Sequence, residues 1–135
     1  MTHLSRNRLD KETEKELINK LSLALNHVKN AADMSSLLTN LLTDTERLMI
    51  AKRLAIITLL DEGLPDAHIA EVLHVTRITV AKMRYYNEAR GNGFSLALSR
   101  LKSVKPFEEF KQMLLSLATY SARAAGGRVK ANPFS

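Results

Sequence analysis

The helical spacing of apolar residues restricts the fold of this chain more than any other feature. Apolar residues recur three and four positions apart, as at Leu17, Leu21 and Val28, and again between Phe107 and Tyr120. This spacing gathers apolar side chains on one side of an α-helix, whereas a half-buried strand needs strict alternation of apolar and polar residues. No segment alternates in that way. The sequence therefore predicts an all-α fold.

Residues that typically start and stop helices punctuate the chain. A first helix is predicted over about residues 11–29, behind acidic residues that suit the positive end of the helix dipole. Later starts are predicted at Asp33 as an N-cap, at a capping box formed by Thr43 and Glu46, and at Pro65 as the first residue of its helix. The predicted breaks are Gly63, residues 91–93 and the residue before Pro106.

The length of 135 residues suits one hydrophobic core, so residues 1–124 are predicted to form a single all-helical domain. Within it, a helix-turn-helix is predicted at about residues 65–86. Gly126, Gly127 and Pro133 predict that residues 125–135 form a flexible basic tail.

The composition argues against several classes of protein. The chain has no cysteine, which excludes disulfides, thiolate metal sites and cysteine nucleophiles. Its four histidines lack the spacing of a metal site, and no group of residues suggests catalysis, so we expect no metal, no cofactor and no enzyme activity. There is no apolar stretch of 18 or more residues, so no membrane association is predicted, and a cytoplasmic location is expected.

Positive charge is concentrated in the second half of the chain. The formal net charge is +6, and residues 1–62 hold nine Lys and Arg against nine Asp and Glu. Residues 63–135 hold eleven against five. A basic surface that is segregated in this way favours a polyanionic partner, of which double-stranded DNA is the first candidate.

The segment from Asp66 to Met83 has the layout of a helix-turn-helix. A first helix with a buried stripe is followed by a turn, an N-cap and a second helix whose inner face is apolar. His74 lies in the turn, where glycine is common, but histidine tolerates a left-handed backbone better than most residues. The residues assigned to the buried side are Ile69, Ala70, Leu73, Val75, Val80 and Met83.

The opposite side of the second helix suits the major groove of DNA. At 100° per residue, Ile78, Ala81, Lys82 and Tyr85 share one face, which basic residues flank. Lys82 and Arg77 can reach guanine, and Ile78 can touch a thymine methyl group. Arg84 and Arg90 can hold phosphates. The predicted DNA-binding residues are Thr76, Arg77, Ile78, Thr79, Ala81, Lys82, Arg84, Tyr85 and Arg90, of which Arg77 is assigned to guanine and Arg84 and Arg90 to phosphates.

Three parts of the sequence resemble the tryptophan repressor family. They are the run Leu41-Leu42-Thr43-Asp44-Thr45-Glu46-Arg47, the long third helix with Arg53, and the motif after Pro65; together they extend over residues 37–101. The stretch from Arg90 to Arg100 is most similar to an uncharacterised tryptophan-repressor-like branch. The resemblance implies a homodimer with intertwined N-terminal helices that presents two recognition helices to a palindromic operator.

The same resemblance bears on a small-molecule ligand. It places the residues that hold tryptophan in the repressor at Arg53, Lys82 and Met83. Arg53 and Lys82 are therefore candidate ligand-binding residues. Met83 stands where the repressor has glycine, and Tyr86 stands where it has a small hydroxyl residue, so tryptophan is not expected to be a corepressor.

Three functions remain open from the sequence. The first is a dimeric, sequence-specific transcriptional regulator that binds duplex DNA. The second is the DNA-targeting module of a transposition or replication system, because the same motif serves there. The third is a helical protein-interaction domain whose basic face docks onto an acidic protein.

Overall fold

The computed structural model describes residues 8–90 and 93–124, and these residues form helices and no strand. The all-α prediction is therefore confirmed for this part of the chain. The helices are α1 (Lys11–Asn26), α2 (Ala31–Leu41), α3 (Asp44–Asp61), α4 (Asp66–Leu73), α5 (Arg77–Ala89), α6 (Gly93–Leu101) and α7 (Lys105–Ala124).

Side-chain caps start the first and third helices where the sequence placed them. The Asp10 carboxylate accepts a hydrogen bond of 2.7 Å from the backbone N–H of Thr13, and this bond lowers the pKa of Asp10. The capping box of α3 is confirmed. The backbone N–H of Thr43 donates to Glu46 Oε1 at 2.9 Å, and the N–H of Glu46 donates to Thr43 Oγ1 at 3.1 Å. The first of these bonds lowers the pKa of Glu46.

The prediction that Asp33 caps α2 is wrong. Asn30 is the N-cap, and its Oδ1 accepts from the backbone N–H of Asp33 at 2.8 Å. Asn30 Nδ2 donates in return to Asp33 Oδ2 at 2.9 Å, so the two residues form a reciprocal pair. Helix α1 also ends earlier than predicted, at Asn26 rather than residue 29. The N–H of His27 bonds to the carbonyl groups of Ala24 and Leu25.

Two helices that begin near a proline do not begin at the predicted residue. Pro65 is the N-cap of α4 rather than its first residue, because its ψ of 149° is extended. Helix α7 begins at Lys105, so Pro106 is its second residue rather than the residue after a stop. Proline is accepted in a first turn because the N–H that it lacks has no partner there.

The chain divides into two compact units, with the boundary between Arg47 and Leu48 inside α3. In the first unit, no residue of α1 or α2 is buried. The single domain over residues 1–124 stays a prediction. The predicted tail at residues 125–135 lies outside the described residues. None of the described helices has the length and hydropathy to span a bilayer.

The second unit has a core built by four helices. Helices α3, α4, α5 and α7 contribute to it, and its largest fully buried apolar side chains are Ile56, Leu59, Ile69, Val80 and Leu114. The polar residue Thr58 is also buried, and its hydroxyl donates to the carbonyl of Leu54 at 2.7 Å. This bond satisfies the hydroxyl inside the core, so its burial carries no unpaired polar group.

Helix α7 packs against α4, the first helix of the helix-turn-helix. Leu114 and Ala118 of α7 are buried in the core that α4 and α5 share. His68 Nε2 lies 3.1 Å from the carbonyl oxygen of Ala118. Lys111 Nζ lies 3.5 Å from Glu62 and 3.3 Å from Glu108, and the hydrogen bond to Glu108 raises the pKa of Lys111. The burial of Leu114 and Ala118 and the contact with His68 make α7 part of the support for the motif.

The contribution of α7 can be tested with two of its leucines that differ in burial. Leu114 is 2% exposed and Leu117 is 46% exposed. Leu114→Ala is expected to lower the free energy of unfolding by about 2–5 kcal/mol, because it leaves a cavity in the core. Leu117→Ala, the matched control, is expected to change it by about 0.5 kcal/mol or less. Urea unfolding measures both, and equal losses would contradict this packing.

Candidate nucleic-acid interface

Helices α4 and α5 pack through the side chains that the helical spacing assigned to the interior. Ile69, Ala70 and Leu73 of α4 are buried, and Val80 of α5 is completely buried among them. Val75 and Met83 are half-buried and pack against the same cluster. The small side chain of Ala70 leaves room for the close approach of the two helices. The predicted inner face of the motif is therefore confirmed.

The turn between α4 and α5 depends on a left-handed residue. His74 has φ 54° and ψ 51°, and it is the one non-glycine residue with positive φ among those described. In this conformation the N–H groups of His74 and Val75 both bond to the carbonyl of Ala70. Lys52 Nζ of α3 donates to the His74 carbonyl at 3.4 Å. The turn is thus held from both α4 and α3.

Thr76 caps α5, as predicted. Its Oγ1 accepts from the backbone N–H of Thr79 at 3.1 Å and lies 2.9 Å from the hydroxyl of Thr79. Both threonines are exposed beside Arg77, at the end of α5 that follows the turn. The hydroxyl groups therefore organise the N-terminus of α5 and remain accessible to a ligand.

The outer face of α5 contains the residues that were assigned to base contacts. Ile78 is 67% exposed and Tyr85 is 65% exposed, and Ala81 and Lys82 are exposed between them. Within the described residues, neither Lys82 nor Arg77 has a carboxylate partner. The structure thus brings together a surface with an apolar part and two unpaired positive charges.

The two arginines that were assigned to phosphates have contacts within the protein. Arg84 Nη2 forms an ion pair with Asp66 Oδ1, the first residue of α4. The guanidinium of Arg90 lies over the ring of Tyr86, 5.1 Å from its centre. Their phosphate contacts stay predictions, but Arg84 is already paired before any DNA is present.

Residues of α5 help to line several cavities, and Arg53 of α3 lines two of them. One of about 490 Å³ is lined by both candidate ligand residues, Arg53 and Lys82. Its other lining residues are Met49, Lys52, Ile56, Val75, Thr79, Met83, Tyr86 and Arg90. Met83 and Tyr86 therefore lie in the same cavity as the two basic residues. No group of three or more potential metal-binding residues occurs in the part of the chain that the structure describes.

The second cavity, of about 580 Å³, was not predicted. It is lined mainly by apolar side chains from α3, α5 and α6, including Ile50, Leu54 and Phe94, and it shares Arg53, Met83, Tyr86 and Arg90 with the first. Asn87 also lines it, and its Oδ1 is buried with no hydrogen-bond partner among the described residues. The only signal in the sequence was the spacing of Met83, Asn87 and Arg90 on one side of α5.

Comparison with known proteins finds a match to a protein family. Residues 16–102, more than half of the chain, match the family described as Trp repressor protein. No curated protein and no solved structure matches significantly. The match begins before residue 37, where the sequence resemblance was placed, and it ends before α7. The chain belongs to the Trp repressor protein family.

Proposed function

We propose that this protein is a transcriptional regulator that binds duplex DNA sequence-specifically, as a homodimer, with α5 in the major groove. The observation that carries the proposal is the outer face of α5. There Ile78, Ala81, Lys82 and Tyr85 are exposed together while Val80, on the other side, is completely buried. Membership of the Trp repressor protein family favours the same class of function.

The side chains of the outer face are better suited to contact with the edges of DNA bases than to exposure to solvent. Lys82 can donate to the O6 and N7 atoms of guanine, and Ile78 can contact the methyl group of thymine. An isoleucine and a tyrosine that are about two-thirds exposed leave apolar area in water, which a base contact would remove. Arg77, exposed on the first turn of α5, supplies a further donor.

The exposed apolar side chains of α1 support the proposed dimer. Leu17, Ile18 and Leu21 are each about half exposed or more, and no residue of α1 is buried. A helix of this kind gains little stability from its own unit, since most helical stability in proteins comes from packing. A second copy of the chain is the partner that two half-sites on DNA would require.

Action by binding alone, in the cytoplasm, follows from the proposed regulatory role. No reaction and no cofactor is part of it. We also propose that tryptophan is not the corepressor. The support for this is that Met83 and Tyr86, which are larger than the residues that the resemblance places there, line the same cavity as Arg53 and Lys82.

The corepressor proposal is tested by calorimetry. Titration of the protein with tryptophan, with and without duplex DNA, is expected to give a dissociation constant weaker than about 100 μM and no gain in DNA affinity. Tighter binding that also strengthens the DNA complex would contradict the proposal, because Met83 would then have to move aside.

Base reading is tested by comparing Lys82→Ala with Lys105→Ala. Both variants remove one exposed lysine, but Lys105 is the first residue of α7 and lies outside the motif. Lys82→Ala is expected to cost about 1–3 kcal/mol on the preferred site and much less on random duplex, because it removes a base contact. Lys105→Ala should affect both duplexes equally.

Fluorescence anisotropy at one salt concentration measures these affinities, and circular dichroism confirms that each variant is folded. If Lys82→Ala bound both duplexes with unchanged affinity, the result would contradict the proposal that the outer face reads bases. The function as a protein-interaction domain would then be favoured.

The dimer is tested with two substitutions in α1. Leu21→Glu places a charge in the apolar stripe, and Asn19→Glu adds the same charge about 200° away around the helix. Sedimentation should give twice the 15.1 kDa chain mass for the unmodified protein and for Asn19→Glu, but one chain mass for Leu21→Glu. A 15.1 kDa species for the unmodified protein that does not change with concentration would contradict the dimer.

A further inference from the structure

Arg84 differs from the other basic residues of α5 in where it lies around the helix. At 100° per residue it is about 40° from Val80, which is completely buried, whereas Lys82 is about 200° from Val80. Arg84 therefore lies at the border of the inner face. Its side chain is 47% exposed, so it is accessible without belonging to the outer face.

The carboxylate that meets Arg84 belongs to the other helix of the motif. Asp66 is the first residue of α4, eighteen positions before Arg84, and its side chain is 28% exposed. The ion pair therefore joins the start of the first helix to the middle of the second. It is the one ion pair between α4 and α5 among the described residues.

A DNA phosphate that binds this guanidinium has to lie beside the negative charge of Asp66. A phosphate that used the other N–H groups of Arg84 would be repelled by the neighbouring carboxylate, and one that took Nη2 would leave Asp66 unpaired and half-buried. The pair as a whole carries no net charge, so it contributes little to the release of counterions that drives non-specific binding. Arg77 has no such partner, and Arg90 contacts an aromatic ring rather than a carboxylate.

From this geometry we infer that the ion pair with Asp66 keeps Arg84 from binding a DNA phosphate. Arg84 instead holds α5 in position against α4. The inference rests on the proposed DNA binding and revises one part of it, the assignment of Arg84 to a phosphate. Asp66 then acts as a specificity-determining residue. It lowers affinity for random DNA, which depends on phosphate contacts, and leaves the base-reading face of α5 unchanged.

The dependence of DNA affinity on salt tests the inference, because each phosphate contact changes the slope of log K against log salt by about 0.9. Binding of a random-sequence duplex is measured for the full chain and for single variants. Arg84→Ala is expected to leave the slope unchanged. Arg90→Ala, the matched control without a carboxylate partner, is expected to reduce it by about 0.9 if it holds a phosphate.

Substitution of Asp66, in contrast, is expected to change the slope of log K against log salt. Asp66→Asn frees Arg84, so the slope should become steeper by about 0.9 and the affinity for random duplex should rise. The double variant with Arg84→Ala should return the slope to that of the unmodified chain. A purely structural role of the pair would not produce this cancellation.

Each outcome bears on the inference. A slope that falls by about 0.9 in folded Arg84→Ala shows that Arg84 holds a phosphate, and this result would overturn it. An unchanged slope in folded Asp66→Asn would overturn it as well; if that variant does not fold, Arg84→Ala alone decides. Failure of the unmodified chain to bind any duplex at low salt is distinguishable from these results, and it would contradict the proposed function together with the inference.

Discussion

The proposed interface depends on the packing of Val80, in α5, against α4. Val80 is completely buried against a surface made by Ile69, Ala70 and Leu73. Because α5 cannot rotate about its axis without exposing this side chain, the residues half a turn away must face outwards. The exposure of Lys82 and Ile78 is therefore a consequence of core packing.

The support for this packing extends beyond the part of the chain that matches the family. The match ends at residue 102, whereas the core shared by α4 and α5 includes Leu114 and Ala118 of α7. In contrast, α1 lies largely within the match and has no buried residue of its own. The motif is thus stabilised within its own unit, while the apolar side chains of α1 remain available for a partner.

Local patterns explain which parts of this structure the sequence predicted. The capping box of α3, the cap of Thr76 and the inner face of α5 depend on residues three or four positions apart, so their geometry follows from the helix itself. The predicted cap of α2 was wrong because Asn30 and Asp33 are both residue types that can cap a helix. Which of them is the N-cap depends on the reciprocal hydrogen bonds between the two, and neither residue indicates these bonds by itself.

Contacts between distant residues were not predictable in the same way. The pair of Arg84 with Asp66, the bond from Lys52 to the His74 carbonyl and the contact of His68 with Ala118 join residues 18, 22 and 50 positions apart. Each depends on the angles at which helices pack, which apolar spacing does not specify. The unpredicted cavity beside Asn87 has the same origin, because three helices enclose it.

Selection of bound sequences from a random duplex pool tests the central claim most directly. A dimer that reads bases with two copies of α5 should enrich a two-fold symmetric sequence whose half-sites lie about one helical turn, roughly 10 base pairs, apart or a small multiple of that. The unmodified chain and Lys82→Ala should enrich different bases at one or two positions in each half-site. A pool that binds but shows no sequence enrichment after repeated rounds would contradict the account.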